Sequence, residues 1–164
     1  MQGKSADNRK NTLYDMRIER KRYLQRLVNS RKNGQIKIIT GVRRCGKSYL
    51  LGVLYRDYLL QDGILPEQII TLELDNDINA RYRNPLELGT YLREKVADTG
   101  TDYYILLDEI QMVESIDNPY LPKESDSKIT FVDVLLGLKS LSNVDVYVTG
   151  SNSKMLSSDV ATAF

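Results

Sequence analysis

Four short apolar runs, QIKIIT (35–40), QIITLEL (68–74), YYILLDEI (103–110) and VDVYVT (144–149), alternate with stretches whose apolar residues recur at helical spacing. This alternation constrains the fold more than any other feature. Strands separated by helices join through crossovers, so they lie parallel in one sheet with right-handed connections. The third run is apolar almost throughout, as a strand covered on both faces must be. Between the runs, Leu50, Leu51, Leu54 and Tyr58 form a helical stripe over 47–61, with Gly63 beyond its end. Asn84, Pro85 and Glu87 supply an N-cap, a proline at the first helical position and a capping carboxylate for a helix carrying Leu88, Tyr91, Leu92 and Val96. Thr130 and Asp133 open another, striped by Phe131, Val134, Leu135 and Leu138. An N-terminal helix is predicted from Thr12, with Asp15 as its capping partner, Leu13, Met16, Tyr23, Leu24, Leu27 and Val28 on one face and Gly34 at its end. Residues 75–83 and 111–129 read as loops, the second long enough to carry function. Residues 1–11 are expected to be a flexible tail, and 12–164 a single α/β domain with helices on both faces of a mostly parallel sheet.

Composition removes several kinds of chemistry. The chain has no His, which excludes imidazole acid–base catalysis and His-ligated zinc. Its one cysteine, Cys45, cannot form an intrachain disulfide. No apolar run approaches the roughly 18 residues of a membrane span, and the polar start is not a signal peptide, so a cytoplasmic protein is expected. Charge is nearly balanced at +1 but unevenly spread, with +7 over residues 9–32 and −6 over 33–164. The basic stretch lacks interleaved aromatics and a recognised nucleic-acid motif, so a solvated helix face is its default account; nucleic acid as a partner is unsupported.

Between the first strand and its helix stands Gly41-Val42-Arg43-Arg44-Cys45-Gly46-Lys47-Ser48-Tyr49. It matches G-x-x-x-x-G-K-[ST] at every fixed position, in the strand–loop–helix setting that pattern requires. Glycines let backbone N–H groups turn onto phosphate oxygens, and the new helix presents its positive end. Lys47 would neutralise the β- and γ-phosphates, and the Ser48 hydroxyl would ligate Mg²⁺. The competing account is a glycine turn with a surface lysine. A phosphate loop calls for an acid at the end of a neighbouring apolar strand, and ILLDEI provides it. Asp108 would bind Mg²⁺ and Glu109 would act as general base toward water, whereas the plainer account is a solvated turn. At the end of the fourth strand, Thr149, Ser151 and Asn152 reach the same sheet edge, where ligands of parallel sheets bind. Ser151 and Asn152 as γ-phosphate sensors and a self-capped Ser/Asn turn both remain open.

Taken together, GVRRCGKS as Walker A, LLDEI as Walker B and TGSNSKML after the last strand resemble the AAA-type P-loop ATPases of bacteria and archaea, and among them the subgroup with a G-[IV]-R-R-x-G-K-[ST] loop. The resemblance runs from about Ile18 to the last residue. It implies a three-layer P-loop NTPase fold of the additional-strand type, with one strand inserted between those bearing Walker A and Walker B. It also implies ATP with Mg²⁺ as ligand. Family members continue past this length with a fifth strand, site-completing arginines and a separate C-terminal domain. The chain is therefore expected to be an N-terminal fragment lacking that strand, with QIKIIT left as an edge through which copies could pair as a homo-oligomer.

Smaller features weigh less. Arg43 and Arg44 could touch phosphate or a neighbouring protomer, with solvation the ordinary account. Cys45 reads as a small filler, and Asp75 and Asp77 as loop acids without a third ligand. Met16 or Ile18 could contact adenine. The leading expectation is an ATPase, and the alternative is a nucleotide-binding switch or regulatory module with little or no turnover. GTPase chemistry lacks N-K-x-D, and a small-molecule kinase would need a lid that the sequence does not display.

Overall fold

The computed structural model describes residues 20–151. The predicted tail, the first turns of the N-terminal helix with Thr12, Asp15, Met16 and Ile18, and the sensor candidate Asn152 lie outside them. Helix α1 occupies 20–29. Strand β1 (Lys37–Gly41) leads into the glycine loop and helix α2, which runs through Lys47–Tyr49, a π-helical Leu50–Tyr55 and Arg56–Gln61. Strand β2 (Ile69–Glu73), helix α3 (Pro85–Lys95) and strand β3 (Tyr103–Asp108) follow. A short antiparallel pair, β4 (Ile116–Asp117) and β5 (Lys128–Ile129), precedes helix α4 (Phe131–Lys139) and strand β6 (Val144–Ser151).

The main sheet is parallel throughout, in the order β1-β6-β3-β2. The chain is thus an α/β protein of the P-loop NTPase type, and β6 occupies the inserted place between β1 and β3. Among the described residues β1 pairs with β6 alone and stands at the sheet edge.

The two-residue period of the strands sorts their side chains into two cores. Ile70 and Leu72 of β2, Ile105 and Leu107 of β3, and Val146 and Val148 of β6 pack with Leu88 and Leu92 of α3 and Leu135 and Leu138 of α4. Ile69, Tyr104, Leu106 and Tyr147 point the other way, onto Leu27 of α1 and Leu51, Tyr55 and Leu59 of α2. Three layers result. Each fully buried leucine or isoleucine contributes about 1.5–3 kcal/mol relative to exposure, which fixes the strand faces and register.

Local signals act as the residue types dictate. The Asn84 side chain accepts from the N–H groups of Leu86 (2.9 Å) and Glu87 (3.4 Å), and Thr130 with Asp133 forms a reciprocal capping box at α4. Glu87, expected to cap, turns outward to pair with Arg81 at 2.6 Å instead. Residues 75–83 are not the plain loop expected. Asp77–Arg83 form a 3₁₀ helix, because Asn76 caps Ile78 N–H (3.2 Å) and the Arg83 guanidinium binds the carbonyls of Leu74 and Asp75, each at 2.9 Å. The long 111–129 segment is likewise partly ordered by the β4–β5 pair.

At the opposite end of the sheet from the glycine loop, Lys37 and Asp145 form an ion pair with side chains only 7% and 6% exposed. Asp145 also accepts from Lys32 N–H (3.0 Å) and the Tyr147 hydroxyl (2.9 Å). Burial, reinforced by the neighbouring Tyr55 and Asp145, pushes the Tyr147 hydroxyl well above the usual phenol range, so it stays a donor. The network ties the end of α1 to β1 and β6. Asp145→Ala leaves the Lys37 ammonium buried and unpaired and is expected to lower folding stability by roughly 3–5 kcal/mol; urea unfolding checks it, and a loss under about 1 kcal/mol would place the pair outside the core energetics.

Candidate functional site

The parallel sheet gathers the chemically distinctive residues at its C-terminal edge. Gly41 ends β1, Asp108 ends β3, and Thr149 and Ser151 lie at the end of β6. The register sets Gly41 beside Ser151 and Ile39 beside Thr149. Loop, acid and β6 terminus are therefore neighbours by construction.

Within the loop, Gly46 adopts φ 91°, a left-handed conformation that a Cβ would strain. A Cβ on Gly41 would meet the Cys45 sulfur at 3.0 Å, so glycine lets the loop close on itself. Arg44 also has positive φ (63°), and Arg43, Arg44, Cys45 and Ser48 are exposed, as is Val42 at 72%. Helix α2 starts at Lys47, and no side chain among the described residues caps its first turn. Those N–H groups are left for another acceptor, and the helix end carries partial positive charge.

Lys47 is buried at 6% exposure. Its ammonium donates to the carbonyls of Gly41 and Val42, each at 3.0 Å, and lies near the Cys45 sulfur at 4.0 Å. Among the described residues no carboxylate pairs with it. A buried cation held by neutral carbonyls alone is electrostatically incomplete. The loop shell around it offers further N–H donors, and the ligand it suits is anionic.

Asp108 is buried, and the Thr149 hydroxyl donates to its Oδ1. The same hydroxyl accepts from the Glu109 backbone N–H at 3.0 Å. Thr149, fully buried, thereby fixes both acidic positions from the adjacent strand. Glu109 sits at φ 56°, ψ 51°, a left-handed conformation that costs a non-glycine residue about 1–3 kcal/mol and clusters at functional sites. That turn ends β3 one residue after Asp108 and starts the short 3₁₀ helix Ile110–Met112.

The candidates thus divide. The structure brings together Gly41, Gly46, Lys47, Asp108, Glu109 and Ser151 at one sheet edge; Asp75 and Asp77 belong to a different turn. Among the described residues no group of three or more Cys, Asp or Glu side chains is placed to hold a metal. Of the two residues expected to ligate metal, Ser48 is exposed in the first turn of α2 and Asp108 is buried at the end of β3. Sequence reasoning missed two residues. Arg20 of α1 stacks on the Tyr49 ring at 5.2 Å, its guanidinium 3.6 Å from where a Cβ of Gly46 would be. Gln111 donates to the Glu109 carboxylate. Arg20 gave no signal beyond the general basicity of its stretch, whereas Gln111 stood one residue past the apolar run.

A family model described as an AAA domain matches residues 33–164. Curated relatives include an uncharacterised protein of Haemophilus influenzae, 34% identical over 145 residues that cover 88% of this chain and 32% of the relative. Another, from Methanocaldococcus jannaschii, is 29% identical over 133 residues, covering 79% of this chain and 24% of the relative. The chain therefore spans a third or less of these relatives' lengths. Among solved structures, the fold is similar to a chain of the Drosophila ORC complex with AT-rich DNA and Cdc6 (TM-score 0.56, 10% identity, 97% of this chain and 56% of that one). No helix among the described residues is long and apolar enough to cross a membrane.

Gly46→Ala forces a Cβ into the left-handed region and is expected to cost about 1–2 kcal/mol of stability. Thermal unfolding beside Gly52→Ala, whose added Cβ meets nothing within 4 Å, isolates the backbone effect. Equal melting temperatures for the two variants would remove the requirement for glycine at 46.

Proposed function

Because the chain belongs to the AAA domain family, we propose that it binds ATP with Mg²⁺ in the loop from Gly41 to Tyr49 and, in the whole protein, hydrolyses it. The observation that carries this is the buried ammonium of Lys47, which pairs with no carboxylate among the described residues, at the mouth of a helix that no side chain among them caps. Phosphate oxygens would replace the Gly41 and Val42 carbonyls as its acceptors. Backbone N–H groups of the loop, including those of Arg43, Arg44 and Cys45, would donate to the β-phosphate, and the first turn of α2 would add its dipole. Ser48 and Asp108 would hold Mg²⁺, which when bound neutralises charge on the phosphate oxygens.

Glu109 is assigned as general base. Its left-handed backbone turns it away from the strand direction taken by Asp108, so two adjacent acids can serve different roles. Asp108 is held by Thr149 for the metal, and Glu109 accepts the proton of the attacking water. Ser151, beside Gly41 in the sheet register, would sense the γ-phosphate together with Asn152. A switch with little turnover remains the alternative, and Glu109→Gln separates the two: an ATPase loses its turnover, a switch has none to lose.

Isothermal titration of ATP with and without Mg²⁺, on the parent and on Lys47→Ala, tests the cradle. Mg²⁺-dependent binding is expected in the parent, weakened about 10–100-fold in the variant by loss of hydrogen bonds from a charged donor. Equal binding by both proteins would overturn the assignment of Lys47, and no binding by the parent would overturn nucleotide binding by this chain.

A further inference from the structure

We infer that Gln111 is the positioning residue for Glu109, an inference that rests on Glu109 being the base proposed above. The Gln111 amide spans two fixed points. Its Nε2 donates to Glu109 Oε2, and its Oε1 accepts the backbone N–H of Ser151 at 3.3 Å. Only this orientation of the amide satisfies both neighbours, since a carboxylate accepts and a backbone N–H donates.

Each end has a consequence for the acid between them. Glu109 stands at a turn, φ 56°, where nothing in a strand or long helix would hold its side chain. The described hydrogen bonds give its carboxylate one partner, the Gln111 amide, on Oε2, which leaves Oε1 for a water. The other end is anchored where β6 runs beyond the end of β3: the β3–β6 register reaches Leu107 and Val148, and Ser151 lies three residues on. Gln111 therefore takes the place that a longer β3 would have filled. Ser151 is also the register partner of Gly41, the first residue of the glycine loop. A single half-buried side chain thus references the base to the strand that carries the phosphate site's neighbour. Loss of that reference should slow the proton transfer and leave nucleotide affinity in place.

Steady-state ATP turnover and ATP affinity, measured on the full-length protein and its Gln111→Ala, Gln111→Glu and Glu109→Gln variants, decide the matter. Gln111→Glu keeps an acceptor for Ser151 N–H but sets a second carboxylate against Glu109. A positioning role predicts kcat lowered about tenfold or more in both Gln111 variants, a part of the roughly 100-fold or more that a general base contributes. KM and Kd for ATP should stay within about twofold, as for an interaction made only in the transition state. Adding Gln111→Ala to Glu109→Gln should cost nothing further, since the two act as a unit. A parental kcat in Gln111→Glu with a defect in Gln111→Ala would reduce Gln111 to a cap on Ser151 and overturn the inference. So would an unchanged or raised kcat in Gln111→Ala, or loss of ATP binding in both variants. A parent without turnover, or a Glu109→Gln variant as fast as the parent, would sink the proposed base and the inference with it. A slow Glu109→Gln beside unimpaired Gln111 variants would sink the inference alone.

Discussion

A parallel sheet must be covered on both faces, and that constraint governs everything at its edge. Each strand here returns through a helix, so all strands finish on the same side, and the loops leaving them are forced into proximity. With β6 inserted between β1 and β3, the glycine loop and Asp108 are held two strands apart, bridged by the end of β6. The site is a consequence of topology before it is a set of side chains. Leu27, Tyr55 and Leu59 on one face, and Leu88, Leu92 and Leu135 on the other, keep it there by holding the helices down.

Against that frame, the electrostatics of the two sheet ends contrast. Lys37 is buried beside Asp145, with a tyrosine hydroxyl and a backbone N–H completing the carboxylate's partners. Lys47 is buried at the other end, where its partners among the described residues are two carbonyls and the Cys45 sulfur, all neutral. The first arrangement is closed and structural: every charge has its counter-charge. The second leaves a positive charge that no carboxylate among the described residues pairs, beside helix N–H groups that no side chain among them caps. The same residue type at similar burial thus has opposite meanings, and the difference is whether a carboxylate is within reach.

Much of the fold was legible in the sequence because its signals are local. The period-two strands, the Asn84-Pro85 helix start and the Thr130–Asp133 capping box are each decided within a few residues, and the structure follows them. What was not legible depends on partners distant in the chain or on a competing local bond. Residues 75–83 carry loop-like composition, yet Arg83 reaching back to two carbonyls winds them into a 3₁₀ helix. Glu87 has the position of a capping acid, but Arg81 offers a charged partner that a backbone N–H does not match. In the site, the glycine loop and the Asp-Glu pair announce themselves by spacing. Thr149 does so only by lying at a strand end, and its bridge between Asp108 and Glu109 arises from the register of β6 against β3. Arg20 could not be found by spacing at all, because its approach to Gly46 depends on how α1 packs beside α2.

Strand β6 emerges from these contacts as the element that relates the parts of the site. One edge of its end pairs with β1, matching Ser151 to Gly41. From the other side, Thr149 holds Asp108 and receives the N–H of Glu109, while Ser151 N–H is met by Gln111. These bonds are short-ranged and directional, so a shift of β6 relative to β3 cannot leave the acids where they stand. Nor can the loop at Gly41 move the end of β1 without bearing on Ser151. Inserting a strand between the loop and the acids therefore adds more than width to the sheet: it makes the geometry of each depend on the same stretch of backbone, from Val148 to Ser151. The left-handed turn at Glu109 belongs to the same logic. A chain that continued β3 would have paired further with β6 and pointed successive side chains to opposite faces. By breaking the strand at that residue, the fold frees the end of β6 for side-chain partners and gives two adjacent acids different ones, Thr149 for Asp108 and Gln111 for Glu109.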